Sequence, residues 1–473
     1  MTERVAVVIV HGMGNQRPVS TVNGFVDSAL ATFGGSRVYY SRPALLTDFF
    51  EARRLVAIEM ERAGATARPQ VDLYEYHWSY LMTGNKIGHL VPTTLRLLIR
   101  PFWRLPTALW FYWFALLGVA LFLAFELWTA ATQGRFKSFK VKDIIEAITP
   151  NVWVAAALSA FVFAAASWAT SNLVDVVRYL DTSPRSYEVR RAIRGGMVEL
   201  LSALQDPQRK PHAYNRIVVV AHSLGGYVAY DGITSLWTQT DRGQDQQRTY
   251  TTLGDLEAEA RRLPEPTSRP PTDQRENLAD FREAQNKLWA ELQQSETRWL
   301  ISDFVTLGTP MYMADLLYTR SRRQFNTLRR RSELPQCPPR SDTEPVEPRK
   351  ARRTKNADNP PPLSYGWRGE KVLVTGSPFA AVRWTNLWYP ARLGLFGDPF
   401  GGALQPLFGS GINDRKVTAR GRWPFVPILA HTHYFSYPDQ TGDGIVTTAL
   451  RDGMALEPTL TTMTGAAPNA EPN

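Results

Sequence analysis

Cysteine is almost absent from this sequence, since Cys337 is the only one among 473 residues. A single thiol excludes an intrachain disulfide, and it excludes a structural zinc site held by several thiolates. The shortage of cysteine is compatible with a reducing compartment. Because 44% of the residues are hydrophobic and 21% are charged, the composition excludes a disordered or collagen-like chain and indicates a globular protein with a sizeable core.

A secretory signal is also lacking. Residues 5–10 are a short apolar run rich in β-branched side chains, and residues 11–14, His-Gly-Met-Gly, follow it as a turn without a small-residue cleavage site. Such a run is typical of a buried parallel strand. We therefore expect a strand here and no signal peptide.

The positive charge of the protein is unevenly distributed. The net charge is +10, from 54 basic and 44 acidic residues, and residues 320–356 alone contain twelve basic and four acidic ones. These residues run into a proline-rich stretch, whereas a nucleic-acid-binding face usually combines basic residues with aromatic ones on a folded surface. We therefore expect no nucleic-acid partner, and attraction to anionic lipid head groups is the better interpretation.

Two long stretches contain no charge at all, residues 105–125 and 147–174. About 20 apolar residues span a bilayer as a helix, so we predict a helical hairpin through the membrane with spans at about 105–125 and 152–171. A polar turn at 135–140 separates them. Two buried core helices are the alternative interpretation. The segment before the hairpin, 86–104, has apolar and basic residues at the spacing of an interfacial helix or of an ordinary surface helix.

Basic residues near the spans predict the orientation, since they favour the cytoplasmic side. Eight lie on the side of the remaining chain and four lie in the turn, so we expect the remaining chain to face the cytoplasm. The eight are Lys86, Arg96, Arg100, Arg104, Arg178, Arg185, Arg190 and Arg191, and the four are Arg135, Lys137, Lys140 and Lys142.

The strongest chemical signal is Ser223. Residues 216–220 have the composition of a buried strand, residues 221–226 read Ala-His-Ser-Leu-Gly-Gly, and a helix is expected from 227. A nucleophilic serine on a sharp strand-to-helix turn requires this order. The tight turn also requires small residues two positions before and after the serine, which Ala221 and Gly225 provide. A serine in a glycine-rich turn by chance is the alternative.

These residues resemble the α/β-hydrolase superfamily, in particular its lipase and serine-esterase branch. The resemblance rests on residues 11–14, on 221–226 and on Thr-Leu-Gly-Thr-Pro at 306–310, and it covers the chain to about residue 450 apart from three insertions. It implies an α/β fold with a mostly parallel sheet flanked by helices. It also implies an oxyanion hole formed by the backbone N–H groups of Met13 and Leu224.

The resemblance implies the order serine, acid, histidine along the chain. Of seven histidines, only His431 and His433 follow Ser223 at a distance. Related hydrolases often have a tyrosine three residues after the catalytic histidine and an aromatic residue next to it. Tyr434 and Phe435 match that pattern for His431, which is therefore the predicted base, with His433 as the fallback.

The acid is expected after a late strand. Residues 382–389 have the composition of a strand, and Asp398 follows them in an Asp-Pro turn with small residues, as in the acid turn of this family. Asp398 is therefore the predicted acid. Asp315 is the fallback, since some branches carry the acid after the preceding strand. We expect no cofactor and no metal site.

The domain boundaries follow from these segments. The hydrolase domain is expected to comprise four pieces, residues 1–82, 175–237, 300–333 and 364–458. They are interrupted by the membrane segment 83–174, a charged helical insertion at 238–299 and a disordered proline-rich insertion at 334–363, and they are followed by a disordered tail at 459–473.

The sequence therefore predicts a membrane-anchored serine hydrolase that uses Ser223, His431 and Asp398 to cleave carboxylic esters, with lipids or other apolar acyl esters as substrates. A non-catalytic membrane scaffold with a hydrolase-like fold is one alternative. A thioesterase or a peptidase with the same three residues is the other.

Overall fold

The structure is a computed structural model, and it describes the segments that form a central sheet and its helices. The described residues are 3–12, 20–30, 38–45, 51–58, 70–82, 101–105, separate positions between 110 and 132, 174–180, 184–208, 214–240, 250–264, 274–294, 298–319, 321–340, 363–367, 370–374, 376–391, 397–420, 429–436 and 444–456.

An eight-stranded sheet forms the centre of the described structure, in the order β10-β9-β6-β5-β1-β4-β3-β2. The six strands from β10 to β4 are parallel, and β3 and β2 are antiparallel at one edge. A separate hairpin pairs β7 with β8. The strands are β1 (Arg4–Val10), β2 (Val38–Leu45), β3 (Glu51–Ile58), β4 (Gln70–Tyr76), β5 (Arg216–His222), β6 (Ile301–Leu307), β7 (Ser364–Trp367), β8 (Glu370–Leu373), β9 (Arg383–Trp388) and β10 (Asn413–Lys416).

Helices flank this sheet, so the α/β class predicted from the sequence is confirmed. Helices α3, α4 and α6 pack on one face, and α1 and α10 pack on the other. The described helices are α1 (Ser20–Phe25), α2 (Val174–Leu180), α3 (Pro184–Gln205), α4 (Gly225–Thr240), α5 (Leu253–Arg262), α6 (Gln274–Gln293), α7 (Ala314–Leu317), α8 (Arg322–Arg330), α9 (Gln405–Phe408) and α10 (Val446–Met454).

The alternation of side chains along the central strands creates two cores. Along β1, the residues Val5, Val7 and Ile9 belong to one core, and Ala6, Val8 and Val10 belong to the other. Every one of these side chains is buried, because a parallel strand covered on both faces alternates between two apolar layers. The uninterrupted apolar run in the sequence is therefore the form that a central strand must take.

The charged stretch expected as an insertion at 238–299 contributes to the core. Helix α6 buries Phe281 and Leu288, which lie at helical spacing within an otherwise charged sequence. Its Arg282 donates a hydrogen bond to the Trp384 carbonyl oxygen of β9 at 3.2 Å. This helix covers the sheet beside β9.

Part of the proline-rich stretch expected to be disordered is packed as well. Leu334 and Cys337 are buried, and the Cys337 N–H donates to the Phe408 carbonyl oxygen at 2.7 Å. The remainder of that stretch, 341–362, and the tail from 457 lie outside the described residues.

A buried carboxylate that is paired with arginines lies at the amino-terminal edge of the parallel strands. Asp303 of β6 accepts hydrogen bonds from Arg383 at 2.8 Å and from Arg216 at 3.4 Å. Burial acts to raise the pKa of Asp303, but the two guanidinium groups outweigh it and hold that pKa below the usual value. At the opposite edge, where the parallel strands end, Ser223 follows β5 and Asp398 follows β9.

No helix formed by the described residues is both long and apolar enough to cross a membrane. Most of the two predicted spans, 105–125 and 152–171, lie outside the described residues. At the start of the first one, Leu105 is buried against Met313 and Leu316. The described positions between 110 and 132 are helical.

Candidate active site

Ser223 occupies a tight turn between the central strand β5 and helix α4. Its φ angle is +54°, in a region that non-glycine residues seldom adopt. The Ser223 N–H donates to the Leu307 carbonyl oxygen at 2.9 Å, and the Ser223 carbonyl oxygen accepts from the Gly226 N–H at 3.0 Å. These bonds hold the strained residue at the carboxyl edge of the sheet, where parallel α/β sheets bind their ligands.

Two glycines allow the end of β1 to approach this turn closely. A methyl group added at Gly225 would lie 2.6 Å from the His11 carbonyl oxygen, so only glycine fits between α4 and the end of β1. A methyl group at Gly12 would lie 2.9 Å from both Ser223 Cβ and His222 Nδ1. The loop that follows β1 therefore starts in van der Waals contact with Ser223.

His431 lies next to Ser223 although 208 positions separate them in the sequence. It belongs to a short 3₁₀ turn, Leu429–Thr432. Its Nε2 is 2.9 Å from Ser223 Oγ, and its Nδ1 is 2.9 Å from Asp398 Oδ1. Because a carboxylate only accepts, Nδ1 carries the proton, and Nε2 is left to accept the hydrogen bond of the Ser223 hydroxyl.

Asp398 is fully buried after β9 and is held by neutral donors. The Phe400 N–H donates to Oδ1 at 2.8 Å, and the Tyr434 hydroxyl donates to Oδ2 at 2.8 Å. The Tyr434 oxygen in turn accepts from the Tyr389 N–H at 3.1 Å. Both carboxylate oxygens are thus satisfied, which fixes the plane that faces His431.

Gly308 makes room for this acid. It follows β6 with a φ of +53°, and an added methyl group would lie 2.5 Å from Asp398 Oδ2 and 2.6 Å from the Tyr434 ring. Any side chain at this position would displace the acid or the tyrosine. The Thr-Leu-Gly-Thr-Pro motif at 306–310 therefore serves the site through its glycine.

The fallback residues lie apart from this arrangement. Asp315 is on α7 and pairs with Arg322 at 3.3 Å. His433 is half-buried, and its Nδ1 is 2.9 Å from Thr432 Oγ1. The described structure thus brings Ser223, His431 and Asp398 together and leaves both fallback residues outside the group.

The described residues include one of the two predicted oxyanion donors, Leu224. Met13 lies outside the described residues. Leu224 is buried at the start of α4, directly after Ser223. Among the described residues no acceptor is found for its N–H, and the amino-terminal end of a helix favours negative charge.

His11 ties the end of β1 to the end of β4. The Trp78 N–H donates to His11 Nε2 at 3.2 Å, so the ring proton is on Nδ1, which donates to the Gly12 carbonyl oxygen at 2.8 Å. The pKa of His11 is lowered to about 4, and burial is the largest cause of this shift. The ring is therefore neutral near pH 7 and keeps both bonds.

His222 makes a contact that no local pattern in the sequence indicates. From the sequence, its neighbouring position indicates a side chain that points away from the nucleophile. In the structure its Nε2 is 2.8 Å from the His431 carbonyl oxygen. The hydrogen-bond partners of Tyr434 likewise do not follow from the sequence, although its spacing from His431 matches the pattern of related hydrolases.

The described residues contain no group of three or more potential metal ligands. Cys337 is buried, and burial raises the pKa of its thiol to about 12, so it remains protonated.

Comparisons with known proteins give no match to a family model, to a curated protein or to a solved structure. The interpretation of this site consequently depends on its geometry and on the chemistry of its residues.

Two histidines with lowered pKa values, the buried His11 and the half-buried His222, predict that the fold loses stability in mild acid. Burial lowers the pKa of His222 to about 3, with a further contribution from His431, and that of His11 to about 4, against 6.5 for an ordinary histidine. The unfolded chain therefore binds more protons below pH ~6.5. Their contribution to the free energy of unfolding is complete above that pH, and it is lost as the pH falls to about 4 for His11 and to about 3 for His222.

His222→Gln removes one of these groups and should make the decline shallower. Between about pH 6 and pH 4.5, the free energy of unfolding should fall less steeply than in the wild type, by up to roughly 1.4 kcal/mol per pH unit, the value of one proton. Urea unfolding at a series of pH values measures both slopes. Equal slopes would contradict the prediction.

Proposed function

We propose that this protein is a serine hydrolase that cleaves carboxylic esters with apolar acyl chains through an acyl-enzyme intermediate. The observation that supports this most directly is the hydrogen-bonded row of three buried residues. Ser223 Oγ, the His431 ring and Asp398 Oδ1 are joined by two contacts of 2.9 Å each. A hydroxyl, an imidazole and a carboxylate in this row form the standard arrangement for activating a serine nucleophile.

The proposed reaction has two halves. Ser223 Oγ attacks the ester carbonyl carbon while its proton moves to His431 Nε2, and the tetrahedral intermediate expels the alcohol, which takes that proton. A water molecule then attacks the acyl-serine, His431 again accepts and returns the proton, and the carboxylic acid leaves. Asp398 keeps the imidazole in the required tautomer and stabilises the imidazolium form.

When Ser223 attacks, negative charge develops on the carbonyl oxygen of the ester. This charge needs hydrogen-bond donors on the side of Ser223 that is opposite His431. The Leu224 N–H, directly before α4, is one proposed donor, and the N–H of Met13, the residue after Gly12 in the sequence, is the other. Loss of one such donor typically costs about 3 kcal/mol of transition-state stabilisation. The close approach of Gly12 to Ser223 supports the second assignment.

The same residues favour an α/β-hydrolase fold. Six parallel strands are flanked by helices, the serine follows the central strand β5, and the acid follows β9. Serine, acid and histidine also occur in that order along the chain, as this fold requires.

A membrane anchor is the second part of the proposal. The charge-free stretch at 105–125 is long enough to span a bilayer. Large apolar side chains around it are exposed, among them Trp103 at 67%, Leu121 at 61% and Trp128 at 63%. Exposed aromatic side chains of this size are typical of surfaces that meet lipid. We propose two spans, a catalytic domain on the cytoplasmic side and lipid-like esters as substrates.

Replacing the nucleophile tests the enzymatic proposal directly. Ser223→Ala should lower kcat for a p-nitrophenyl ester by at least about 10⁴-fold and abolish labelling by a fluorophosphonate probe, because the attacking oxygen is gone. Ser436→Ala, an exposed serine close to His431 in the sequence, is the matched control and should retain both. Wild-type protein without labelling or hydrolysis would favour the scaffold alternative.

Matched substitutions separate the assigned acid and base from their fallbacks. Asp398→Asn should lower kcat roughly 10⁴-fold, because the amide no longer favours the required tautomer of His431. Asp315→Asn should remain close to the wild type, since Asp315 pairs with Arg322 away from the site. In the same assay, His431→Ala should be nearly inactive, and His433→Ala should be active. An inactive Asp315→Asn variant beside an active Asp398→Asn variant would reverse the assignment.

Membrane attachment is tested by fractionation. The wild-type protein should stay in the membrane after a carbonate wash, and replacement of residues 106–173 by a short linker should release it. The released protein should still cleave a small soluble ester, because the three residues lie outside that segment. It should lose most of its rate on esters embedded in vesicles. Wild-type protein in the soluble fraction would contradict the anchor.

A further inference from the structure

We infer that His222 is a positioning residue that holds the catalytic base through its main chain. This inference rests on the proposed function, because it assigns a role within the same site. His222 Nε2 lies 2.8 Å from the His431 carbonyl oxygen. A carbonyl oxygen can only accept, so the ring proton of His222 is on Nε2 and is donated to the turn that carries the base.

The anchor point of this bond is rigid. His222 is the last residue of β5, the strand that pairs with β1 on one side and with β6 on the other. The next residue is Ser223 itself, whose N–H is bound to the Leu307 carbonyl oxygen. The nucleophile and the donor that holds the base are therefore adjacent residues of one backbone, so the hydrogen bond fixes the distance between Ser223 and His431.

The ring of His222 is confined on several sides. Its centroid lies 5.0 Å from that of His431 and 5.6 Å from that of Tyr434. Its Nδ1 lies against Gly12, where an added methyl group would be 2.9 Å away. The ring thus fills the space between the loop after β1 and the turn at 429–432, and it has little freedom to leave its bond.

The neutral state of His222 suits this role. Burial lowers its pKa to about 3, and the neighbouring His431 contributes further. The Nε2–H bond is therefore unchanged when His431 takes the proton of Ser223. A second cation at this distance would oppose the formation of the imidazolium, and a neutral donor avoids that cost.

Because His222 is inferred to act by positioning His431, loss of its hydrogen bond should lower kcat. His222→Phe keeps an aromatic ring and removes the donor. A displacement of the base by about 1 Å can cost up to 10²-fold in rate, and we expect kcat for a p-nitrophenyl ester to fall roughly 10- to 100-fold. KM should stay within about twofold, since His222 makes no contact that would bind the substrate in this proposal.

His222→Gln provides the rescue. Its amide N–H reaches to about the position of Nε2 and can donate to the same carbonyl oxygen, so most of the lost kcat should return. His222→Asn is the matched control with a shorter side chain, which keeps an amide but does not reach; it also replaces His222→Phe if that variant does not fold. If His222 had a purely structural role, kcat of the variants would instead decrease in step with their stability. It would not depend on whether the substituted side chain can donate to the His431 carbonyl oxygen.

A spectroscopic measurement separates failure of this inference from failure of the proposed function. The proton on His431 Nδ1, which is hydrogen-bonded to Asp398, should give a far-downfield proton NMR signal, and its detection requires no turnover. The signal should be sharp in the wild type and in His222→Gln, and broadened or lost in His222→Phe and His222→Asn. Unchanged kcat and an unchanged signal in both variants without the donor would overturn the inference. A wild type without hydrolysis but with this pattern of signals would overturn only the proposed function.

Discussion

The positive φ angle of Ser223 is the constraint on which the rest of the site depends. A non-glycine residue adopts this conformation at a cost of about 1–3 kcal/mol, and it persists only where neighbouring contacts hold it. Here two hydrogen bonds supply these contacts: the Ser223 N–H donates to the Leu307 carbonyl oxygen, and the Ser223 carbonyl oxygen accepts from the Gly226 N–H. The turn projects the serine from the carboxyl edge of the sheet, and it also explains why Gly12 and Gly225 must lack side chains where β1 approaches.

The local features of this fold could be predicted from the sequence because each has a short-range cause. The strand before Ser223 is a continuous apolar run, and the turn requires small residues at Ala221 and Gly225. Strand β9 and the Asp-Pro turn after it could be recognised in the same way. The pairing of these elements into six parallel strands follows from their alternation with helices.

The parts that escaped prediction depend on contacts between distant residues. The bond from His222 joins positions 209 apart in the sequence, and the bond between Tyr434 and Asp398 depends on the exact docking of two loops. The composition of α6 indicated a charged helix in an insertion outside the domain. Its buried face, with Phe281 and Leu288, was not evident among the many charged residues. A local pattern reveals which residues can be buried but not which partner they meet.

Two buried carboxylates in this sheet show why Asp398 is suited to work with a base. At one edge, Asp303 is bound by Arg383 and Arg216, so its negative charge is already compensated. At the other edge, the described partners of Asp398 besides His431 are neutral donors, the Phe400 N–H and the Tyr434 hydroxyl. Neutral donors fix the carboxylate and leave its charge without a resident counter-ion. That charge is therefore available to stabilise a cation that exists only during the proposed reaction, the imidazolium of His431.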